Sequence, residues 1–135
     1  MSERIERVLK APMALVWELW TTPSGRASWF GPKGFEVQVH ELDAVTGGAF
    51  SYTMKGHGRE FTVNAVFTEV EDFKTLAWKA PMGPEDSLFT SVSFTETADG
   101  VAMVLTLEAT KEGMTGGAAM GWNSSLDRLV ERLAS

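Results

Sequence analysis

The chain has 135 residues, 44% hydrophobic and 22% charged, which suffices for one buried core and excludes extended disorder. Twelve basic against eighteen acidic residues give a formal net charge of -6, and Arg26, Lys33, Lys55 and Arg59 are scattered, which excludes a nucleic-acid surface. With no cysteine there are no disulfides, thiolate nucleophiles or cysteine-based zinc sites, and the two histidines, His40 and His57, offer no ligand spacing for a metal.

The opening "MSERIERVLK" is too charged for a signal peptide, and no stretch approaches the ~20 apolar residues of a membrane span, so a cytoplasmic location is expected. Ile5, Val8 and Leu9 favour a first strand, which Pro12 ends. Met13, Val16, Trp17 and Trp20 then fall at i, i+3, i+4 and i+7, the stripe of a short helix whose tryptophans belong to the core. Thr22 can cap a second short helix with Pro23 at its first position, carrying the chain to Trp29 and Phe30 before "GPKG".

From Phe35 the period becomes two. Phe35, Val37 and Val39 share a face opposite Glu36, Gln38 and His40. Alternation continues through Phe50, Tyr52 and Met54, and through Phe61, Val63, Ala65 and Phe67, with "GHG" as the hairpin turn between. It runs on through Leu76, Trp78 and Ala80, through Val92 and Phe94, and through Val101, Met103, Leu105 and Leu107, the last two strands joined at "TADG". A long C-terminal helix closes the chain with Ala119, Trp122, Leu126, Leu129, Val130 and Leu133 on one face. The order is α+β: a strand, two short helices, a six-strand antiparallel meander and a helix lying in the sheet's concavity, all in a single domain over residues 1–135.

The segment leading into that helix, "GMTGGAAMGW", is built from small residues where the later turns carry leucines. Read as helix, it faces the aromatic strands across a hollow roofed by Met114, Met120 and Trp122; read as a loop, it only delays the helix start. The two readings are compatible, since a glycine-rich lead-in also makes a natural gate. The wall of such a hollow would draw on Trp29 and Phe30 at its mouth and on Val37, Val39, Tyr52, Met54, Phe61, Val63, Trp78 and Met103 from the strands. Tyr52 and Trp78 can each offer a hydrogen bond from a dry wall, and the methionines let it adapt. A mostly apolar or amphipathic ligand suits that lining.

Enzymatic signatures are missing: the chain has no G-x-S-x-G elbow, no H-E-x-x-H and no phosphate-cradling loop, and "TGGAF" reads as a bend into a strand. His40 alternates to the polar face and His57 sits in a turn. No catalytic residue is assigned: Glu41 shares the parity of Val39 at the strand's end and reads either as a rim acid or base or as a simply solvated carboxylate, and Tyr52 is the other candidate. Neither metal nor cofactor is implied, and catalysis is the lesser expectation.

The motifs "APMALVWELWTTPSGRASWFGP", "TGGAFSYTM" and "GWNSSLDRLVERL" resemble the SRPBCC or START-like superfamily, and within it the subgroup named after the C-terminal domain of the heat shock protein 90 ATPase activator. The likeness spans about Ile5 to Leu133. It implies the helix-grip fold, a curved antiparallel sheet around the C-terminal helix, with a cavity between them that holds an apolar molecule in many members. It also implies two alternatives to ligand binding: a co-chaperone role contacting a chaperone ATPase, and a cyclase-like or hydrolytic enzyme using the same cavity. A homodimer is left open.

Overall fold

The computed structural model describes residues 2–111 and 114–134. Strand β1 (Ser2–Leu9) leads into helices α1 (Met13–Thr21) and α2 (Pro23–Ala27). Strands β2 (Glu36–Leu42), β3 (Ala49–Gly56), β4 (Arg59–Glu71), β5 (Thr75–Pro81), β6 (Ser87–Thr97) and β7 (Gly100–Ala109) follow, and α3 (Met114–Ala134) closes the chain. All seven strands form one curved antiparallel sheet in the order β1-β7-β6-β5-β4-β3-β2. The meander thus folds back until β7 meets β1, leaving β1 and β2 outermost.

Local chemistry explains the corners. The β3–β4 turn places His57 and Gly58 both at positive φ, 52° and 76°, as a two-residue turn matched to strand twist requires. In α2 the Thr22 side chain accepts a hydrogen bond from Gly25 N at 3.1 Å with Pro23 at the first position, the capping arrangement expected from the sequence.

The alternation places Phe50, Tyr52, Met54, Val63, Ala65, Phe67, Leu76, Trp78, Val92, Phe94, Met103, Leu105 and Leu107 on the buried face. On β1 the buried residues are Ile5 and Leu9, whereas Val8 faces outward, 49% exposed. Arg7 shares the inward parity and reaches α3, donating to Asn123 Oδ1 at 2.8 Å. Two register shifts interrupt the sheet, between Val39 and Glu41 in β2 and between Phe67 and Glu69 in β4. Each inserts a residue and inverts parity beyond it, so Leu42 and Val70 turn toward the core in their turn.

Helix α3 starts at Met114, so the glycine-rich segment is helical from there on; Glu112 and Gly113, which precede it, lie outside the described residues. Its buried stripe is Thr115, Trp122, Ser125, Leu126 and Leu129, while Val130 stands off that face, 38% exposed. Polar contacts fix α3 to the segment after α2. Arg128 Nη1 donates to the carbonyls of Gly31 at 2.9 Å and Phe30 at 3.3 Å, Gly31 N donates to Ser125 Oγ at 3.0 Å, and Lys33 N to Ser124 Oγ at 2.9 Å. Gly31 is needed there, because at φ 100° a Cβ would sit 2.6 Å from Val37 Cγ2.

Candidate functional site

Where the first turns of α3 pass over β3 and β4, a recess of about 230 Å³ is bordered by Phe30, Pro32, Tyr52, Met54, Phe61, Leu88, Gly117, Ala118, Gly121, Trp122 and Ser125. The sheet supplies bulk and the helix supplies little. A Cβ built at Gly117 would meet nothing within 4 Å, and one at Gly121 would touch only Pro32 Cγ at 3.7 Å. Tyr52 is the polar group on the inner wall, and its hydroxyl has no hydrogen-bond partner among the described residues.

Behind that wall lies a side chain that the composition alone misplaces among scattered surface charges. Arg26 of α2 is fully buried. Its guanidinium carbon lies 4.5 Å from the ring centre of Phe30, 4.7 Å from Phe50, 4.9 Å from Trp20 and Trp78, 5.5 Å from Trp29 and 5.8 Å from Trp122. The rings also pack on one another: Trp122 stacks on Trp20 at 5.8 Å and meets Phe30 at 5.2 Å and Trp78 at 6.0 Å. Nη1 donates to the Trp20 carbonyl at 3.0 Å, whereas Nε and Nη2 have no acceptor among the described residues. Desolvation draws the Arg26 pKa down to about 9, opposed by Tyr52, so the group is still a cation at neutral pH.

A signal for Arg26 does exist in the sequence: it stands at i to Trp29 at i+3 and Phe30 at i+4, one helical face shared with two core aromatics. Of the candidates named from sequence, the structure brings Phe30, Tyr52, Met54, Phe61 and Trp122 together around the recess. Trp29, Val63, Trp78 and Met103 are core residues set back from it, and Val37 and Val39 are half-buried on β2. Met120 is corrected outright: it is 77% exposed and points away from the sheet, because it falls two residues before Trp122 and so on another side of the helix. Met114 is half-buried at the helix start and does not border the recess. Glu41 is also corrected. The bulge after Val39 inverts its parity and leaves it exposed, with Leu42 turned inward in its place. His40 is exposed, with Nε2 2.7 Å from Thr53 Oγ1, and His57 packs its ring 5.3 Å from Phe35 at the turn. The residues that sequence reading did not single out are Arg26, Pro32, Leu88 and Ser125.

A wider groove of about 720 Å³ runs past Met13, Ala14, Phe73 and Phe94 on the far side of α1. Of its polar residues Lys74, Ser93, Thr95 and Glu96 are exposed and Thr75 is half-buried, so no fully buried polar group converges on it.

Burial pushes the Tyr52 phenol up to about 12, against the pull of the Arg26 cation. Tyr52 is the single tyrosine, so the ultraviolet absorbance of phenolate reads this site alone. The native protein is expected to show no ionisation step at pH 10, where a free phenol is half ionised, and a midpoint there would contradict the burial. The raised folded value means that the Tyr52 contribution to stability, on the order of 3 kcal/mol, is present below about pH 10 and lost between 10 and 12. Arg26 runs oppositely, its burial penalty easing as pH rises above about 9, so the absorbance step is the cleaner readout.

The family model described as Activator of Hsp90 ATPase homolog 1-like protein matches residues 10–134. No curated protein matches the chain. Among solved structures, a protein from Chromobacterium violaceum superposes with a TM-score of 0.89 at 21% identity, over 99% of this chain and 97% of that one. One from Nitrosomonas europaea gives 0.87 at 25%, over 99% and 94%. A protein from Aeromonas hydrophila, described as AHSA1-like, gives 0.83 at 23%, over 97% and 90%. The sheet order, the α3 placement and the extent of the family match lead to one conclusion: the chain belongs to the Activator of Hsp90 ATPase homolog 1-like family, within the SRPBCC superfamily and with its helix-grip fold.

Proposed function

We propose that the protein binds a small apolar or amphipathic molecule in the recess between α3 and strands β3 and β4. The observation that carries this reading is the pair Gly117 and Gly121. Glycine inside a helix costs about 1 kcal/mol relative to alanine, and at neither position does packing demand it, since an added Cβ has room. The helix gives up stability where its side chains would otherwise close the recess. The volume, about 230 Å³, is below the usual ~300–1,000 Å³ of drug-sized sites and equals roughly eight waters at ~30 Å³ each, so the ligand is small. Phe30, Met54, Phe61, Leu88 and Trp122 suit an apolar body, and the unpartnered Tyr52 hydroxyl suits one polar atom.

A titration with octan-1-ol followed by amide NMR tests the site. Shifts are expected at Gly117, Ala118, Gly121 and the Trp122 indole N–H. Gly117→Leu, whose side chain fills the recess, should abolish them while raising helix stability by about 1 kcal/mol. An absence of shifts at these groups, or shifts that persist unchanged in Gly117→Leu, would count against the recess as the site.

A further inference from the structure

Three buried donors in one cluster lack an acceptor among the described residues: Arg26 Nε, Arg26 Nη2 and Trp20 Nε1. All three are nitrogens that can only donate, and the Tyr52 hydroxyl nearby offers them a single oxygen. Buried polar groups are ordinarily paired, and an unmatched set of donors indicates what kind of partner is missing. The six surrounding rings offset the charge of the guanidinium through their π faces, but they do not replace directional acceptors for its N–H groups. No carboxylate of the described residues reaches it. Every described Asp and Glu is exposed except the half-buried Asp86, which accepts from Thr110 Oγ1 at 3.1 Å in the β5–β6 loop region.

The two unpaired nitrogens of Arg26 are the informative pair. Nε–H and one N–H of Nη2 point in parallel along one edge of the guanidinium plane, the edge that takes both oxygens of a carboxylate. Nη1, at the other side, is already committed to the Trp20 carbonyl. The edge left open is therefore a complete bidentate site. Phe30 and Trp122 each border the recess and also lie against the Arg26 guanidinium, 4.5 and 5.8 Å from it by ring centre, so the two rings are shared between recess and cation. Tyr52 is on the recess wall and within electrostatic reach of Arg26.

Resting on the recess as the binding site, we infer that its ligand is a small carboxylic acid, bound with its apolar body under Gly117, Ala118 and Gly121 and its carboxylate received by Arg26 Nε and Nη2 beside Tyr52. Seating the carboxylate displaces the edge of Phe30 or Trp122, and it supplies the acceptor that the cluster lacks. This makes the site selective for charge as well as shape. A primary amide of the same outline gains the apolar contacts but brings one oxygen and no charge, setting its own N–H groups against the second donor, and it is discriminated against for that reason.

The test compares each acid with its primary amide, which has nearly the same shape and no charge. Octanoate and octanamide, trans-cinnamate and cinnamamide, and 2-naphthoate and 2-naphthamide are titrated calorimetrically into the wild-type protein at neutral pH and fixed ionic strength. At least one acid is expected to bind about tenfold or more tightly than its amide. In Arg26→Met, checked for folding by its melting curve, that preference should fall to about onefold while the amide affinity stays within about threefold, since only the charged contact is removed. Equal binding of acid and amide to the wild type, abolished by Gly117→Leu, would overturn the carboxylate site and leave the apolar recess standing. An acid preference that survives in Arg26→Met would also overturn it. No binding by any of the six compounds would overturn both the inference and the reading of the recess on which it rests. The wild-type comparison does not depend on any variant folding.

Discussion

Trp122→Ala is expected to remove about 3–5 kcal/mol from the free energy of unfolding, a large share of the ~5–15 kcal/mol typical of a single domain. Trp122 is the one α3 side chain in ring contact with the partners from both short-helix segments and the sheet. It meets Trp20 at 5.8 Å, Trp29 at 6.3 Å, Phe30 at 5.2 Å and Trp78 at 6.0 Å, and is 8% exposed. Truncation opens a cavity that α3 cannot collapse into, because the Ser125, Ser124 and Arg128 hydrogen bonds hold it to residues 30–33. It also admits water to the Arg26 cluster. Urea unfolding should show a midpoint lower by on the order of 2 M, and Trp122→Phe should recover most of the loss. A loss under about 1 kcal/mol would mean that the aromatic cluster is not packed around this ring. Because of this cost, Trp122→Ala is a poor probe of ligand binding, and substitution at Gly117 is the better one.

Arg26→Met is expected to act in the other direction, stabilising the ligand-free protein by about 1–4 kcal/mol, the range found when buried charges give way to apolar side chains. Two effects compete. Cation–π contacts with six rings hold the guanidinium, at up to about 2 kcal/mol for a desolvated contact, though ring contacts sharing one cation do not simply add. Against them stand the desolvation of a full charge, several kcal/mol even after relaxation, and two orphaned donor nitrogens. Methionine is flexible enough to fill the space between the rings, and its thioether packs well on aromatic edges. The Trp20 carbonyl loses its donor, which costs about 1 kcal/mol and leaves the balance favourable. Differential scanning calorimetry should find a melting temperature several degrees higher. A fall in melting temperature would show that the ring cage outweighs desolvation.

The fold was legible because its elements repeat a simple physical pattern over many residues. Alternation through Phe50, Tyr52 and Met54, or through Val101, Met103, Leu105 and Leu107, specifies a face whatever the neighbours do. What escaped depends on single residues. The bulge after Val39 shifts one position, and the only trace in the sequence is that Leu42 breaks the parity set by Val37 and Val39. Parity carried straight on from Val39 puts Glu41 on the wrong side for that reason. Arg26 escaped because burial of a lone arginine depends on rings from α1, α3 and strands β3 and β5, which composition cannot bring together. Met120 and Trp122 lie two residues apart, so in a helix that starts at Met114 they cannot both roof one hollow.

The sheet does not close on itself, and each of its outermost strands would be a template onto which a foreign strand could add. The two margins are protected by different means. On β1 the arginine at position 7 points inward and is held by Asn123 and Asp127 of α3, an inward charge of the kind that keeps an edge strand from pairing further. On β2 the inserted residue near His40 breaks the row of backbone groups that an incoming strand would have to follow. The same bulge that turns Glu41 outward thus guards this margin against amyloid-like growth.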